Sequence, residues 1–238
     1  MRITPDELTI VEWGGLRLNA TILFTWVVMV LLVGIARLVT AKLSDAETPS
    51  RWQNFLEVLV TGMRDQIRDV SQQEPGRYLP FIGTLFLFIA VSNSLAVVPG
   101  FQAPTGSLST TTALAICVLI AVPLYGIVEH GVIGYLQTYL QPTWLMLPFN
   151  IIGELSRTIA LAVRLYGNVM SGMVLAALLV SIIPFFFPTL MQLLGLLTGL
   201  IQAYIFAVLA MVYIAAASGA RAGSGNQAVS AVSSEIRE

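Results

Sequence analysis

Charge is scarce in this sequence: Asp, Glu, Lys and Arg together make up 11% of its 238 residues, against roughly 25% in soluble domains. A chain so poor in charge cannot build the polar surface of a soluble protein. With 56% hydrophobic residues and a mean hydropathy of +0.82, it reads as a polytopic membrane protein. The few charges nearly cancel, leaving a net −1, which excludes nucleic acid as a partner. A single cysteine, Cys117, rules out an intrachain disulfide and a paired thiol site, and it reads as a buried small hydrophobe. One histidine, His130, leaves no second imidazole to relay a proton, so an interfacial structural role is expected of it. There is no P-loop glycine motif, no cluster of metal-ligand type and no nucleophile–histidine set, so the sequence implies no cofactor, no metal and no hydrolysis by the chain itself. Asp6 and Glu7 stand where a secretory signal would be basic, and the first apolar run is long, so no cleaved leader is expected.

No long polar block interrupts the chain, so one integral membrane domain is expected over residues 18–218, between a polar extracytoplasmic arm at 1–17 and a flexible cytoplasmic tail at 219–238. The expected fold class is all-α, with upright spans and a long tilted two-helix hairpin. Spans are placed at about 18–39, 78–98 and 111–128 from their apolar length. Half of the basic residues, Arg37, Lys42, Arg51, Arg64, Arg68 and Arg77, flank one segment, which the positive-inside rule makes cytoplasmic. Within it, Trp52, Phe55, Leu56, Leu59, Val60, Met63, Ile67 and Val70 recur at helical spacing, an amphipathic helix at about 51–72. It lies on the membrane surface or a partner, or packs on its own protein. The charge-free link Gly100–Ser107 reads as a tight outer turn. Tyr135, Leu136, Tyr139, Leu140, Trp144 and Leu145, broken by Pro142, read as an aromatic interfacial connector.

Two proline-free runs then follow, at about 148–183 and 189–218, separated by Pro184-Phe185-Phe186-Phe187-Pro188. At 1.5 Å per residue they reach about 54 Å and 45 Å, more than the hydrocarbon thickness, which favours strong tilt. The first carries Arg157 and Arg164. An arginine at the centre of a membrane helix costs at least about 2.5–3.5 kcal/mol on insertion scales, so Arg164 is the principal functional candidate. Gly153, Arg157, Ala160, Asn168 and Ser171 lie within about 40° of it on the wheel, a polar and small-residue stripe. Glu154 can pair with Arg157 locally but lies about 15 Å along the axis from Arg164. On the second run Gly195, Thr198, Gln202, Phe206, Leu209 and Tyr213 share a face, with Gln192 and Gly199 near it. A hydrogen bond from Arg164 to Gln202 would hold the guanidinium without neutralising it. A permanent cation of this kind cannot carry protons, but it can stop a passing cation or bind a carboxylate.

These residues, from Ser156 to Gly172 with Arg164-Leu165-Tyr166-Gly167-Asn168, and from Gln202 to Tyr213, resemble subunit a of the F-type ATP synthases. The resemblance covers nearly all of the chain after its N-terminal arm. It implies an inner (plasma) membrane protein, multi-pass, with an extracytoplasmic N-terminus and a cytoplasmic C-terminus. It further implies a c-subunit ring, peripheral stalk b subunits and the rest of the complex as partners, with membrane lipid around them. Arg164 would be the essential arginine facing the ring, Asn168 and Gln202 its polar companions, and two offset half-channels would make rotation obligatory for ion passage. Glu154 and Arg157 are candidates for the half-channels, with Ser171, Tyr213 and Gln192. Met173 and Gly195 stand where many members carry a titratable pair, and Thr158 where a proline is common. That departure is similar to what a sodium-translocating N-type variant would show, and it leaves proton and sodium both open. Two further classes compete: a self-contained transporter or channel, for which the halves show no internal repeat, and a scaffold in which the arginine fastens helices.

Overall fold

A computed structural model describes residues 9–13, 16–41, 51–71, 74–98, 100–140, 146–180 and 187–219. The polar arm contributes a two-stranded antiparallel hairpin, β1 (Thr9–Trp13) and β2 (Leu16–Asn19), in which Glu12 is in register with Arg17. The rest of the described chain is helical: α1 (Ala20–Thr40), α2 (Arg51–Ser71), α3 (Leu79–Leu95), α4 (Leu108–Leu140), α5 (Met146–Val180) and α6 (Phe187–Gly219). This is an all-α multi-pass membrane architecture. Stretches of α1, α4, α5 and α6 are long and apolar enough to cross a bilayer, and α3 is a shorter apolar helix of 17 residues. The expected breaker at Pro184, most of the tail at 219–238, the first eight residues and Pro142 with Trp144 lie outside the described residues.

The core is formed where α3, α4 and α5 close around α6, with Ile89, Val118, Leu161, Leu165, Phe206, Met211 and Ile214 buried together. Helices α3 and α6 run antiparallel, and two of the glycines let other elements come close. At Gly199 the backbone of α6 meets Asn93 of α3. At Gly131, with φ +73°, α4 breaks and turns back. Glycine takes this left-handed conformation without the steric cost of a side chain. The span expected at 111–128 is therefore the first limb of a longer, bent element, and Pro123 within it is of the kind that membrane helices tolerate.

One sequence expectation changes and two are sharpened. Cys117 is exposed, on a face of α4 shared with exposed Ile116, Ile120 and Leu124. In a bilayer an outward face is as apolar as a core, so hydropathy cannot separate the two. The link at 100–107 does turn tightly, through a 3-10 turn at Pro104–Gly106, and Ala103 to Ser107 are all buried around it. Helix α2 divides along its length. Ile67 and Val70 join the core against α3 and α6, whereas Phe55 and Val58 stay exposed.

The end of the bundle carrying Arg77 is stitched by side chains. The Arg77 guanidinium pairs with Glu129 of α4, and the Tyr125 hydroxyl donates to the Arg77 carbonyl at 3.3 Å. Both Arg77 and Glu129 are exposed at this pair, so it is worth at most about 1 kcal/mol. Arg77→Ala is accordingly expected to leave the melting temperature of the complex within a few degrees. A large drop would show that this pair carries more of the α3–α4 contact than an exposed ion pair should.

Candidate functional site

Helices α5 and α6 form an antiparallel hairpin whose facing residues set the geometry of the site. Asn168 Nδ2 donates to the Thr198 carbonyl at 3.3 Å, and the Arg157 guanidinium lies over the Tyr213 ring, 5.6 Å from its centroid. Counting four residues from Asn168 along α5 and four from Thr198 along α6 places Arg164 at the axial level of Gln202. The two differ in burial. Arg164 is exposed, together with Ile159, Ala160 and Val163 on the same side of α5. Gln202 is 6% exposed, and its Nε2 is buried without a hydrogen-bond partner among the described residues.

The expected Arg164–Gln202 hydrogen bond is therefore not formed in this structure. The physical reason is the direction of the two faces: the stripe through Arg157, Ala160, Arg164 and Ser171 points outward, while Gln202 turns into the core beside Ala203 and Phe206. Among the described residues Arg164 makes no hydrogen bond or ion pair. The expected Arg157–Glu154 pair is likewise not formed. Arg157 takes an aromatic face on α6 instead, a contact that keeps its charge while drawing the helix ends together.

A cavity of about 370 Å³ opens at the Arg77 end between α4, α5 and α6. Its lining brings together Glu154, Arg157, Thr158 and Tyr213, and adds Asn150 and Tyr135. One carboxylate oxygen of Glu154 is buried there, and the Thr158 hydroxyl donates to the Glu154 carbonyl at 3.0 Å. The cavity mixes polar and apolar walls, holds a carboxylate beside a guanidinium and a phenol, and lies two turns of α5 from Arg164. It is large enough to hold water.

Beyond Arg164, the other way along α5, the polar groups are arranged differently. Ser171 is exposed and its hydroxyl donates to the Asn168 carbonyl at 3.1 Å. The Thr198 hydroxyl reaches the carbonyls of Leu194 and Gly195. Gln192 is exposed on α6. Neither Ser171 nor Gln192 lines the Glu154 cavity, so the candidate residues separate into two groups on either side of Arg164.

One polar assembly escaped sequence reasoning. Asn93 is 4% exposed; its Nδ2 donates to the Gly199 carbonyl at 2.9 Å and its Oδ1 accepts from the Thr105 hydroxyl at 2.7 Å. With Asn168 on Thr198, two neighbouring carbonyls of α6 are each held by an amide from a different helix. The available signal was an asparagine in an otherwise apolar span, whose amide must find partners in the protein because lipid offers none.

Comparisons with known proteins give the family of the chain. Residues 22–215 match the family described as ATP synthase A chain. The chain is 62% identical to "ATP synthase subunit a 2" of Acaryochloris marina over 218 residues, 92% of this chain and 93% of that one. It is 58% identical to "ATP synthase subunit a 1" of Chlorobaculum parvum, over 93% of this chain and 98% of that one. To "ATP synthase subunit a" of Albidiferax ferrireducens it is 55% identical, over 93% and 96%. With a family match spanning most of its length and full-length relatives at this identity, the multi-pass chain that exposes Arg164 on its long hairpin belongs to the ATP synthase subunit a family.

Proposed function

We propose that this chain is the stator element past which a ring of c subunits turns, with Arg164 as the fixed charge between two half-channels. The observation that carries the reading is a guanidinium exposed midway along an apolar hairpin face, with no acceptor among the described residues. A charge in that place is stable in a bilayer only if something polar arrives at it, and a carboxylate carried on a neighbouring, moving subunit fits. The exposed hairpin face, with Ile159 and Val163 on α5 and Leu197, Leu200 and Ile201 on α6, supplies the apolar surface against which a ring can slide.

The Glu154 cavity is the inner half-channel, at the cytoplasmic, Arg77 end. The outer half-channel runs past Gln192, Thr198, Ser171 and Asn168. An ion entering from outside binds a ring carboxylate, travels round the ring, and leaves through the inner cavity. Before the emptied carboxylate can reload it must pass Arg164, which attracts it and turns back any free cation. Peripheral stalk b subunits hold the chain against the torque, and the membrane is the inner (plasma) membrane with the N-terminus outside. The chain performs no bond chemistry of its own; its part is to couple ion movement to rotation.

Two measurements test this. Reconstituted alone, the chain is expected to give no specific ion flux, whereas the whole complex gives flux tied to ATP turnover; robust flux by the single chain would favour a self-contained transporter. In the whole complex, Glu154→Gln is expected to slow ATP-driven ion transport several-fold while Glu154→Asp retains most of it. Equal rates for both variants and the parent would remove Glu154 from the ion path.

A further inference from the structure

Helix α4 is built to fold back on itself. In an unbroken helix Gly126 and Tyr135 would stand about 13.5 Å apart along the axis. Here they touch: a Cβ placed on Gly126 would lie 2.4 Å from Cε2 and 2.6 Å from Cδ2 of the Tyr135 ring. The ring therefore occupies the space that any side chain at position 126 would need. The reversal is made at Gly131, whose φ of +73° and ψ of 163° suit glycine. The limb that carries Gly126 is anchored on both sides of it by Arg77, through the Tyr125 hydroxyl and the Glu129 carboxylate. Packed on this limb, Tyr135 lines the cavity together with Glu154, Arg157 and Tyr213.

We propose that Tyr135 is a positioning residue of the inner ion path: its ring, locked over Gly126 by the reversal at Gly131, sets the width of the opening to the Glu154 cavity. The inference rests on the reading of that cavity as a half-channel. It assigns a role to an aromatic whose position in the sequence suggests only an interfacial anchor. It also explains why two glycines stand five residues apart in this limb: one makes the bend, and the other leaves room for the ring that the bend brings back.

The test uses the whole complex in inverted membrane vesicles, with Cys117→Ser to remove the native thiol and Gly153→Cys as reporter. Gly153 lines the cavity and has open space around it, so the new side chain fits. The rate of labelling of this chain by a charged, membrane-impermeant maleimide is read. Tyr135→Ala is expected to speed labelling several-fold, and Tyr135→Phe, which keeps the ring over Gly126, to speed it far less. Gly126→Ala is expected to shift the rate by about threefold or more when Tyr135 is present and not when it is alanine, the coupling expected of touching residues. If Tyr135→Ala lowers the amount of complex, Tyr135→Leu keeps bulk on the limb and is read in the same way, with a smaller acceleration. If the reporter labels at one rate whatever stands at position 135, the proposal is overturned and the half-channel reading survives. If the reporter is not labelled in any background, water does not reach the cavity, and the half-channel reading falls together with the proposal.

Discussion

Complexes carrying Arg164→Ala are expected to assemble normally and to lose ion-gradient-driven ATP synthesis by about three orders of magnitude. The size follows from the charge. A carboxylate passing about 4 Å from a guanidinium gains roughly 4 kcal/mol at an effective dielectric constant of 20, and each 1.4 kcal/mol is a factor of about ten. Without that attraction an emptied ring carboxylate has no reason to enter the hairpin face, where exposed Ile159 and Val163 offer only hydrocarbon. Assembly survives because Arg164 makes no hydrogen bond or ion pair among the described residues, so its removal breaks no such bond there. It even relieves the cost of a lone cation in lipid. Arg164→Gln separates the readings further: complex of normal composition with coupling lost fits a fixed charge, whereas loss of the complex fits a fastener between helices. Arg164→Lys is expected to keep a fraction of the activity, since an amine retains a charge but gives it up more readily in a dry site and lacks the planar fork for a carboxylate. The readout is ATP synthesis in vesicles under an imposed gradient, beside ATP hydrolysis and subunit composition. Normal synthesis with Arg164→Ala would end the assignment.

Arg164 was legible in the sequence because the cost of a charge in a bilayer is local: it can be read without knowing what packs where. Helical phase extended this to a stripe, of which α5 turns Arg157, Ala160, Arg164 and Ser171 to one exposed side, while Gly153 and Asn168 are half-buried. What phase could not supply is depth. Gln202 shares the level of Arg164 yet faces inward, because in a membrane chain both the core and the outer surface are apolar and the wheel does not say which is which. Arg157 shows the same limit in another form. Spacing along the helix favoured Glu154, but an arginine chooses among all surfaces within reach, and the hairpin brings the Tyr213 ring to it from α6. The five apolar segments were read from length and composition, while their joints were not. The link at 100–107 makes the tight turn its composition implies, through the 3-10 turn at Pro104–Gly106, but its burial was not legible. Ala103 to Ser107 are buried, since Asn93 needs an acceptor and a donor inside the protein, and Gly199 and Thr105 are what the fold brings there. The return of α4 depended on one backbone angle at Gly131, which composition does not reveal.

Gly199→Ala is expected to destabilise the chain, although Gly195→Ala, one turn away on the same helix, is expected to be neutral or mildly stabilising. By helix propensity alone both changes should help, by up to about 1 kcal/mol. The surroundings decide otherwise. A Cβ at Gly195 meets nothing within 4 Å, whereas one at Gly199 would lie 2.8 Å from Cβ, 3.0 Å from Cγ and 3.1 Å from Nδ2 of Asn93. Overpacking of this kind costs about 1–3 kcal/mol. The shift that relieves it also pulls Asn93 away from the Gly199 carbonyl and the Thr105 hydroxyl, and hydrogen bonds between membrane helices are worth about 0.6–2 kcal/mol each. Since α3 packs on α6 through this point, the loss is expected as a lower melting temperature of the purified complex and less of the chain in membranes. Gly199→Val is expected to abolish accumulation. Truncating the partner does not restore the fit: in an Asn93→Ala, Gly199→Ala double variant the nearest atom, the Asn93 Cβ, remains in place. Full recovery in that double variant would show that the amide, rather than the approach of the two backbones, sets the requirement for glycine, and equal stability of the Gly195 and Gly199 variants would show that α3 and α6 do not meet there at all.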